Sequence, residues 1–193
     1  MSPGASRSAP PAVWLAACPG VRVVAGDPPA ITGVTHDSRR VEPGFLFVAV
    51  PGRRTDGHAF IRDAVSRGAA AVLAQEDRAH GVDPGGACMV TAPDTRAALA
   101  PVSAAFWGRP ARQLAVIGVT GTDGKTTTTH LIAHVLGAAG IPAGLLSGVA
   151  FCTDGEPRLN ATHMTTVEAP DIQAGLAEMV ASRRRAAVLE ASS

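Results

Sequence analysis

The sequence predicts an α/β protein in two parts, a small N-terminal α/β domain and a second α/β domain that is incomplete. Three observations lead there. Residues 12–93 alternate short β-branched and apolar runs with a helical pattern. Residues 115–129 read as strand, glycine-rich turn and helix, through Ala115-Val116-Ile117-Gly118-Val119, Thr120-Gly121-Thr122-Asp123-Gly124 and Lys125 with four threonines. After residue 113 only three strand-like runs occur, fewer than the roughly five or six of a finished doubly wound domain.

Composition narrows the class. The 193 residues are 46% hydrophobic, which fits a packed globular chain. A net charge of +1 provides no general attraction to nucleic acid or acidic membrane, so neither is an expected partner. No apolar run approaches the ~20 residues of a membrane span. Cys18, Cys88 and Cys152 are odd in number, widely spaced and without a C-x-x-C pair. That pattern favours a reducing, cytoplasmic setting over a disulfide framework or structural zinc. A monomer is expected.

Taken in order, residues 1–11 are rich in Ser, Ala and Pro and read as a disordered tail. Val13–Ala17 suits a helical turn, and Ile31–His36 alternates as a strand does. Phe45–Val50 is continuously apolar, as a strand buried on both faces requires. A helix is expected from about His58 to Arg67, stopped by Gly68. Strands are expected at 70–74 and 88–90. Asp94 suits the N-cap of a connecting helix within a 94–112 linker, with Pro101 bending or interrupting it. The second domain, 113–193, then has strands at 115–119, 143–146 and 186–189 and helices ending near Ala139 and Ala181, with a mostly polar connection over 147–166.

The turn at 120–127 has the chemistry of an anion cradle. Glycines let backbone approach an anion closely, and the inward amides with the helix N-terminus supply positive potential. Gly121, Thr122, Asp123, Gly124, Lys125, Thr126 and Thr127 are therefore the candidate ATP-binding residues. Lys125 would reach the β- and γ-phosphates and the Thr126 hydroxyl would sit on Mg²⁺. Of the 17 Lys+Arg residues Lys125 is the only lysine. The loop departs from G-x-x-x-x-G-K-[ST], because Val119 stands five residues before Gly124.

The segment G-T-D-G-K-T-T-T-T resembles the phosphate loop of the Mur ligase family, which uses ATP to add amino acids in peptidoglycan synthesis. Further stretches fit the same pattern: His36-Asp37-Ser38-Arg39-Arg40, Pro43-Gly44-Phe45-Leu46-Phe47-Val48-Ala49, Asp56-Gly57-His58-Ala59-Phe60-Ile61, Thr165-Thr166 ahead of Glu168-Ala169, and Leu189-Glu190-Ala191-Ser192-Ser193. Their order looks most like the branch that adds the third residue. The resemblance implies a P-loop-type Mur ligase central domain, truncated here, behind a domain that holds the UDP end of the substrate. It implies that His36 and Ser38 lie near the uridine and that Arg53, Arg54 and Thr55 meet the UDP moiety. It also implies that Thr165, Thr166 and Ser192 hydrogen-bond substrate, and that Glu190 joins Thr126 at Mg²⁺ and Lys125 in catalysis. Two arginines in a glycine-flanked loop also suit a pyrophosphate on chemical grounds. The implied partners are UDP-N-acetylmuramoyl-L-alanyl-D-glutamate and a diamino acid, either meso-diaminopimelate or L-lysine. Asp123 stands where the family more often has asparagine and Val167 where proline is frequent, and the extra negative charge should alter how metal-nucleotide binds.

Two alternatives stay open: another Mur-type ligase, such as a dipeptide-adding one, or a non-catalytic nucleotide-binding truncation. The resemblance also implies a downstream histidine, a carbamylated lysine and a C-terminal domain beyond these residues, so the fragment alone is expected to lack ligase activity. His130 and His134, at i and i+4, read as ordinary helix positions because no third ligand accompanies them. His163 lies close enough in sequence to Thr165 and Thr166 to touch substrate. Arg183-Arg184-Arg185 reads as a solvated helix end.

Overall fold

A computed structural model describes residues 7–52, 55–160 and 167–191. The chain divides into two compact units, 1–106 and 107–193.

The first unit contains α1 (Pro11–Ala16), β1 (Arg22–Ala25), β2 (Gly33–Thr35), β3 (Phe45–Val48), α2 (Ile61–Ser66), β4 (Ala71–Gln75), β5 (Cys88–Ala92) and α3 (Thr95–Phe106). Its sheet runs β1-β5-β4-β3-β2. β2, β3, β4 and β5 are parallel neighbours, and β1 closes the edge antiparallel to β5. Leu46, Phe47 and Val48 are fully buried, so β3 is covered on both faces as its apolar run requires. Phe47 and Val72 join Ile61, Ala64 and Met89 in one core cluster. Side chains alternate along a strand, which turns Leu46 and Leu73 to the opposite face, and α3 packs on β2 and β4 and against α1. Trp14 on α1 is wholly buried, and its indole N–H donates to Pro29 O at 3.0 Å.

Several expectations are corrected here. The loose tail does not extend to residue 11: Ala9 exchanges two 2.9 Å backbone hydrogen bonds with Ile31, and α1 starts at Pro11. Strand geometry at 31–36 is confined to Gly33–Thr35. β1 is a strand that hydrophobic patterning did not single out, since its residues are mostly exposed at a sheet edge. The helix expected from His58 opens as a 3₁₀ turn, Gly57–Phe60, before α2. Pro101 does not interrupt α3, which stays continuous from Thr95 to Phe106 with seven residues buried. Burial of that face outweighs the hydrogen bond proline forgoes.

The second unit contains β6 (Ala115–Val119), α4 (Lys125–Ala138), β7 (Ala143–Leu146), β8 (Ala150–Cys152), β9 (Arg158–Leu159), α5 (Ala169–Ala181) and β10 (Ala186–Glu190). The order is β6-β10-β7-β8-β9. β10 lies parallel between β6 and β7, and β8 and β9 extend the sheet antiparallel. That extension falls in the stretch expected to be polar connection; strands of three and two residues are too short to show a period. The core is Leu146, Leu176, Met179 and Ala187. β6 is an edge strand among the described residues, with Val116 42% exposed, and α4 leaves Leu131 and Val135 exposed.

Gly57 tests the packing, because a Cβ there would stand 2.7 Å from Val50 N and 2.8 Å from Val50 O. Gly57→Ala should lower unfolding free energy by about 1–3 kcal/mol in urea titrations. Gly137→Ala, in the last turn of α4 with nothing near an added Cβ, should instead raise stability by about 0.5 kcal/mol.

Candidate functional site

β6 delivers the chain into the loop at 120–124, and α4 carries it away. Gly121 at φ +143° and Gly124 at φ +74° take conformations that side chains resist, which makes glycine the fitting residue at both. A Cβ on Gly124 would meet nothing within 4 Å, and one on Gly121 only Asp123 O at 3.9 Å, so the loop presents open backbone on that side. No side chain caps α4 at Gly124. Its first-turn N–H groups therefore have no partner within the helix and suit an anion. The Lys125 ammonium folds back onto its own loop, donating to Gly121 O at 2.7 Å and Thr122 O at 2.9 Å.

Glu190 ends β10, in register with Val119 at the end of β6. Sheet pairing thus brings a residue 65 positions after Lys125 (190 minus 125) beside the loop's base. Glu190 is only 6% exposed. The Thr126 hydroxyl donates to its two carboxylate oxygens at 3.1 and 3.0 Å, and Gly148 N–H donates to Oε2 at 2.8 Å. Among the described residues no cationic side chain pairs with it. A buried carboxylate held by neutral donors alone is costly unless a cation completes it. A hydroxyl and a carboxylate in contact beside a phosphate cradle match Mg²⁺, which takes one or two carboxylates and finishes its shell with water and phosphate. No group of three or more His, Cys, Asp or Glu side chains occurs among the described residues, and this donor set does not need one.

The turn between β7 and β8 supports Glu190 from behind, and sequence reasoning missed it. Ser147, 1% exposed, accepts N–H bonds from Val149 and Ala150 and donates to Ala150 O. His130 Nε2 lies 3.1 Å from Ser147 Oγ, while His134 remains an ordinary helix position. The Asn160 amide donates to Ser147 O and Gly148 O, both at 3.2 Å. No spacing rule ties His130, Ser147 and Asn160 together; only the antiparallel extension of the sheet does.

In the first unit, His36 and Ser38 follow β2 and Thr55 follows β3, its parallel neighbour. The His36 Nδ1 is buried without a hydrogen-bond partner. Ser38 is buried, and its hydroxyl bonds Asp63, which with Arg67 holds that carboxyl below its usual range. Asp37 caps the turn through Arg39 N–H and pairs with the Arg39 guanidinium. Thr55 is exposed, and its carbonyl accepts Gly52 N–H at 3.1 Å to close the 51–56 loop. Arg53, Arg54, His163, Thr165, Thr166 and Ser192 lie outside the described residues.

The same loop is anchored by Asp56 and His58. Gln75 N–H donates to His58 Nε2 at 2.9 Å, which assigns the ring proton to Nδ1, 2.6 Å from Asp56 Oδ1. Arg78 holds the other Asp56 oxygen at 2.5 Å. Burial alone would raise the Asp56 carboxyl, but the His58 N–H, its ring and Arg78 together bring it down to about 2.

Mixed, largely parallel sheets, a glycine-bounded strand–loop–helix and a buried glutamate beside it define an α/β protein with a turn of the phosphate-loop kind. Residues 119–193 match the Mur ligase middle domain, and residues 30–107 match the domain described as Mur ligase family, catalytic domain. The chain belongs to the Mur ligase family. It is 51% identical over 164 residues to a UDP-N-acetylmuramyl-tripeptide synthetase of Deinococcus radiodurans, covering 84% of this chain and 33% of that protein. Identity is 42% over 164 residues to a UDP-N-acetylmuramoyl-L-alanyl-D-glutamate–2,6-diaminopimelate ligase of Syntrophomonas wolfei, covering 84% of this chain and 32% of that one. The chain spans about a third of the length of the curated relatives it matches. A solved UDP-N-acetylmuramoyl-L-alanyl-D-glutamate–2,6-diaminopimelate ligase superposes with a TM-score of 0.66 at 26% identity, over 88% of this chain and 34% of that one. MurF from Acinetobacter baumannii shares the fold at a TM-score of 0.64 and 23% identity, over 96% of this chain and 36% of that one.

The Asp56 anchor predicts an acid limb in stability. A depressed carboxyl stabilises the fold above its ordinary value of 3.8, and that contribution is lost as pH falls towards about 2. Acid titration followed by circular dichroism should show stability dropping through this window, and Asp56→Asn should flatten that limb.

Proposed function

We propose that this chain carries the nucleotide-binding and UDP-substrate-binding parts of an ATP-dependent ligase that adds the third amino acid to UDP-N-acetylmuramoyl-L-alanyl-D-glutamate. The added residue is a diamino acid, meso-diaminopimelate or L-lysine. The observation that carries the ATP assignment is the contact between the Thr126 hydroxyl and the buried Glu190 carboxylate at the mouth of an uncapped, glycine-bounded loop. The names of the relatives, matched over 84% of this chain, support third-residue addition.

In this reaction the glutamate carboxylate of the substrate attacks the γ-phosphorus of ATP, giving an acyl phosphate and ADP. The amine of the diamino acid then attacks the acyl carbon, forming the amide and releasing phosphate. The protein's task in the first step is positioning and charge neutralisation. Lys125 exchanges the Gly121 and Thr122 carbonyls for phosphate oxygens. The loop amides and the α4 N-terminus hold the β-phosphate. Thr126 and Glu190 would hold Mg²⁺, which lowers the charge on the transferring group when bound. His36, Ser38 and Thr55 stand at adjacent strand ends of the first unit, where parallel sheets receive ligands, and with Arg53 and Arg54 they are assigned to the UDP moiety. Thr165, Thr166 and Ser192 are assigned to the rest of that substrate. We assign the protein to the cytoplasm. No helix of the described residues is long and apolar enough to cross a membrane, and Cys18, Cys88 and Cys152 are all free thiols.

Calorimetric titration of the purified chain with MgATP tests the assignment. Lys125→Ala should weaken binding on the order of a hundredfold or abolish it, with the melting temperature of the variant preserved. Equal affinity in the wild type and Lys125→Ala would overturn it. Glu190→Gln should retain the fold and lose most of the Mg²⁺ dependence of nucleotide binding.

A further inference from the structure

The candidate phosphate loop contains one carboxylate, Asp123, whose extra charge is expected to alter metal-nucleotide binding in a direction the resemblance leaves open. Five other aspartates among the described residues act as local caps. Asp37 accepts Arg39 N–H, Asp56 accepts His58 N–H, Asp83 accepts Gly85 N–H, Asp94 accepts Ala97 N–H and Asp154 accepts Glu156 N–H. Asp123 caps nothing: α4 begins at Lys125 without a side-chain cap, and the Asp123 side chain is exposed. Nor does the neighbouring ammonium neutralise it, because Lys125 Nζ donates to Gly121 O and Thr122 O instead. The loop therefore carries an uncompensated negative charge between its two left-handed glycines, Gly121 and Gly124.

We propose that Asp123 makes this loop select a metal-complexed triphosphate over the free one, an inference that rests on the ATP assignment above. Asp123 sits two residues ahead of the first residue of α4, next to its N-cap Gly124, where the helix field attracts any anion, so it competes with phosphate for the same positive potential. A triphosphate carrying a divalent cation has roughly two fewer negative charges than the free anion, and the repulsion from a fixed carboxylate falls in proportion. A fixed carboxylate in the loop would also attract the cation that the complexed nucleotide carries. A neutral amide of the same shape would keep the loop's geometry and remove both effects. Asp123 thus acts on which form of the nucleotide binds, and leaves the cradle itself to Gly121, Gly124, Lys125 and Thr126.

The test is calorimetric titration of the purified chain, wild type, Asp123→Asn and Asp123→Ala, with ATP in excess EDTA and with ATP in excess Mg²⁺. The wild type should prefer the metal-complexed form by about tenfold more than either variant does, mainly because the variants gain affinity for free ATP. The difference should shrink as KCl is raised, since an exposed charge is screened. Thermal melting of each variant should match the wild type. If the wild type and both variants show the same ratio of affinities, the Asp123 inference falls and the ATP assignment stands. If the wild type binds neither form, the ATP assignment falls and takes this inference with it.

Discussion

The hydrogen bond from Thr126 to Glu190 is the contact on which the second unit's candidate site depends. It joins the first turn of α4 to the end of β10, the central parallel strand of that sheet. β10 in turn is in register with both β6 and β7, and Glu190 itself pairs with Val119 of β6. Gly148 N–H completes the arrangement from the β7–β8 turn. Three elements thus converge on one buried carboxylate whose described partners are neutral donors. That is an arrangement a folded chain keeps at a cost in stability, and a hard cation with phosphate oxygens is the chemistry that offsets it.

The loop above this contact is arranged for anions but satisfied, for the present, by its own backbone. Lys125 has two carbonyl acceptors, each a weaker partner than a phosphate oxygen. In the reading proposed above, exchanging those carbonyls for a ligand would need only the Lys125 side chain to move. The edge position of β6 and the exposed Leu131 and Val135 on α4 give this unit an apolar surface of the sort protein–protein contacts cover.

The first unit anchors the chain where it leaves and returns to the end of a buried strand. Gly52 and Gly57 allow close backbone approach, with Thr55 O and Val50 occupying the space a side chain would need. Asp56 ties that loop to Arg78, and the His58 ring carries the connection on to the backbone of Gln75 at the end of β4. These contacts stand at the end of β3, the parallel neighbour of β2, after which His36 and Ser38 follow. Ser38 spends its hydroxyl on Asp63 and so helps fix the turn after β2 to α2.

The α/β class, the strand–loop–helix at 115–138, the buried β3 and the glycine-bounded loop from Gly121 to Thr127 could be read from the amino-acid order, because each is encoded within a few consecutive residues. Local period, glycine placement and a lone lysine suffice there. The edge strand β1, the short strands β8 and β9 and the ordering of Ala9 could not be read that way, since their hydrogen bonds come from distant partners. The same holds for the Gly148 donor to Glu190 and for the His130–Ser147–Asn160 cluster, whereas the nearness of Thr126 and Glu190 is implied by the family resemblance. Sequence alone determined what the loop is made of; the tertiary structure decided what stands beneath it, because parallel pairing of β10 with β6 is what brings residues 126 and 190 within a hydrogen bond.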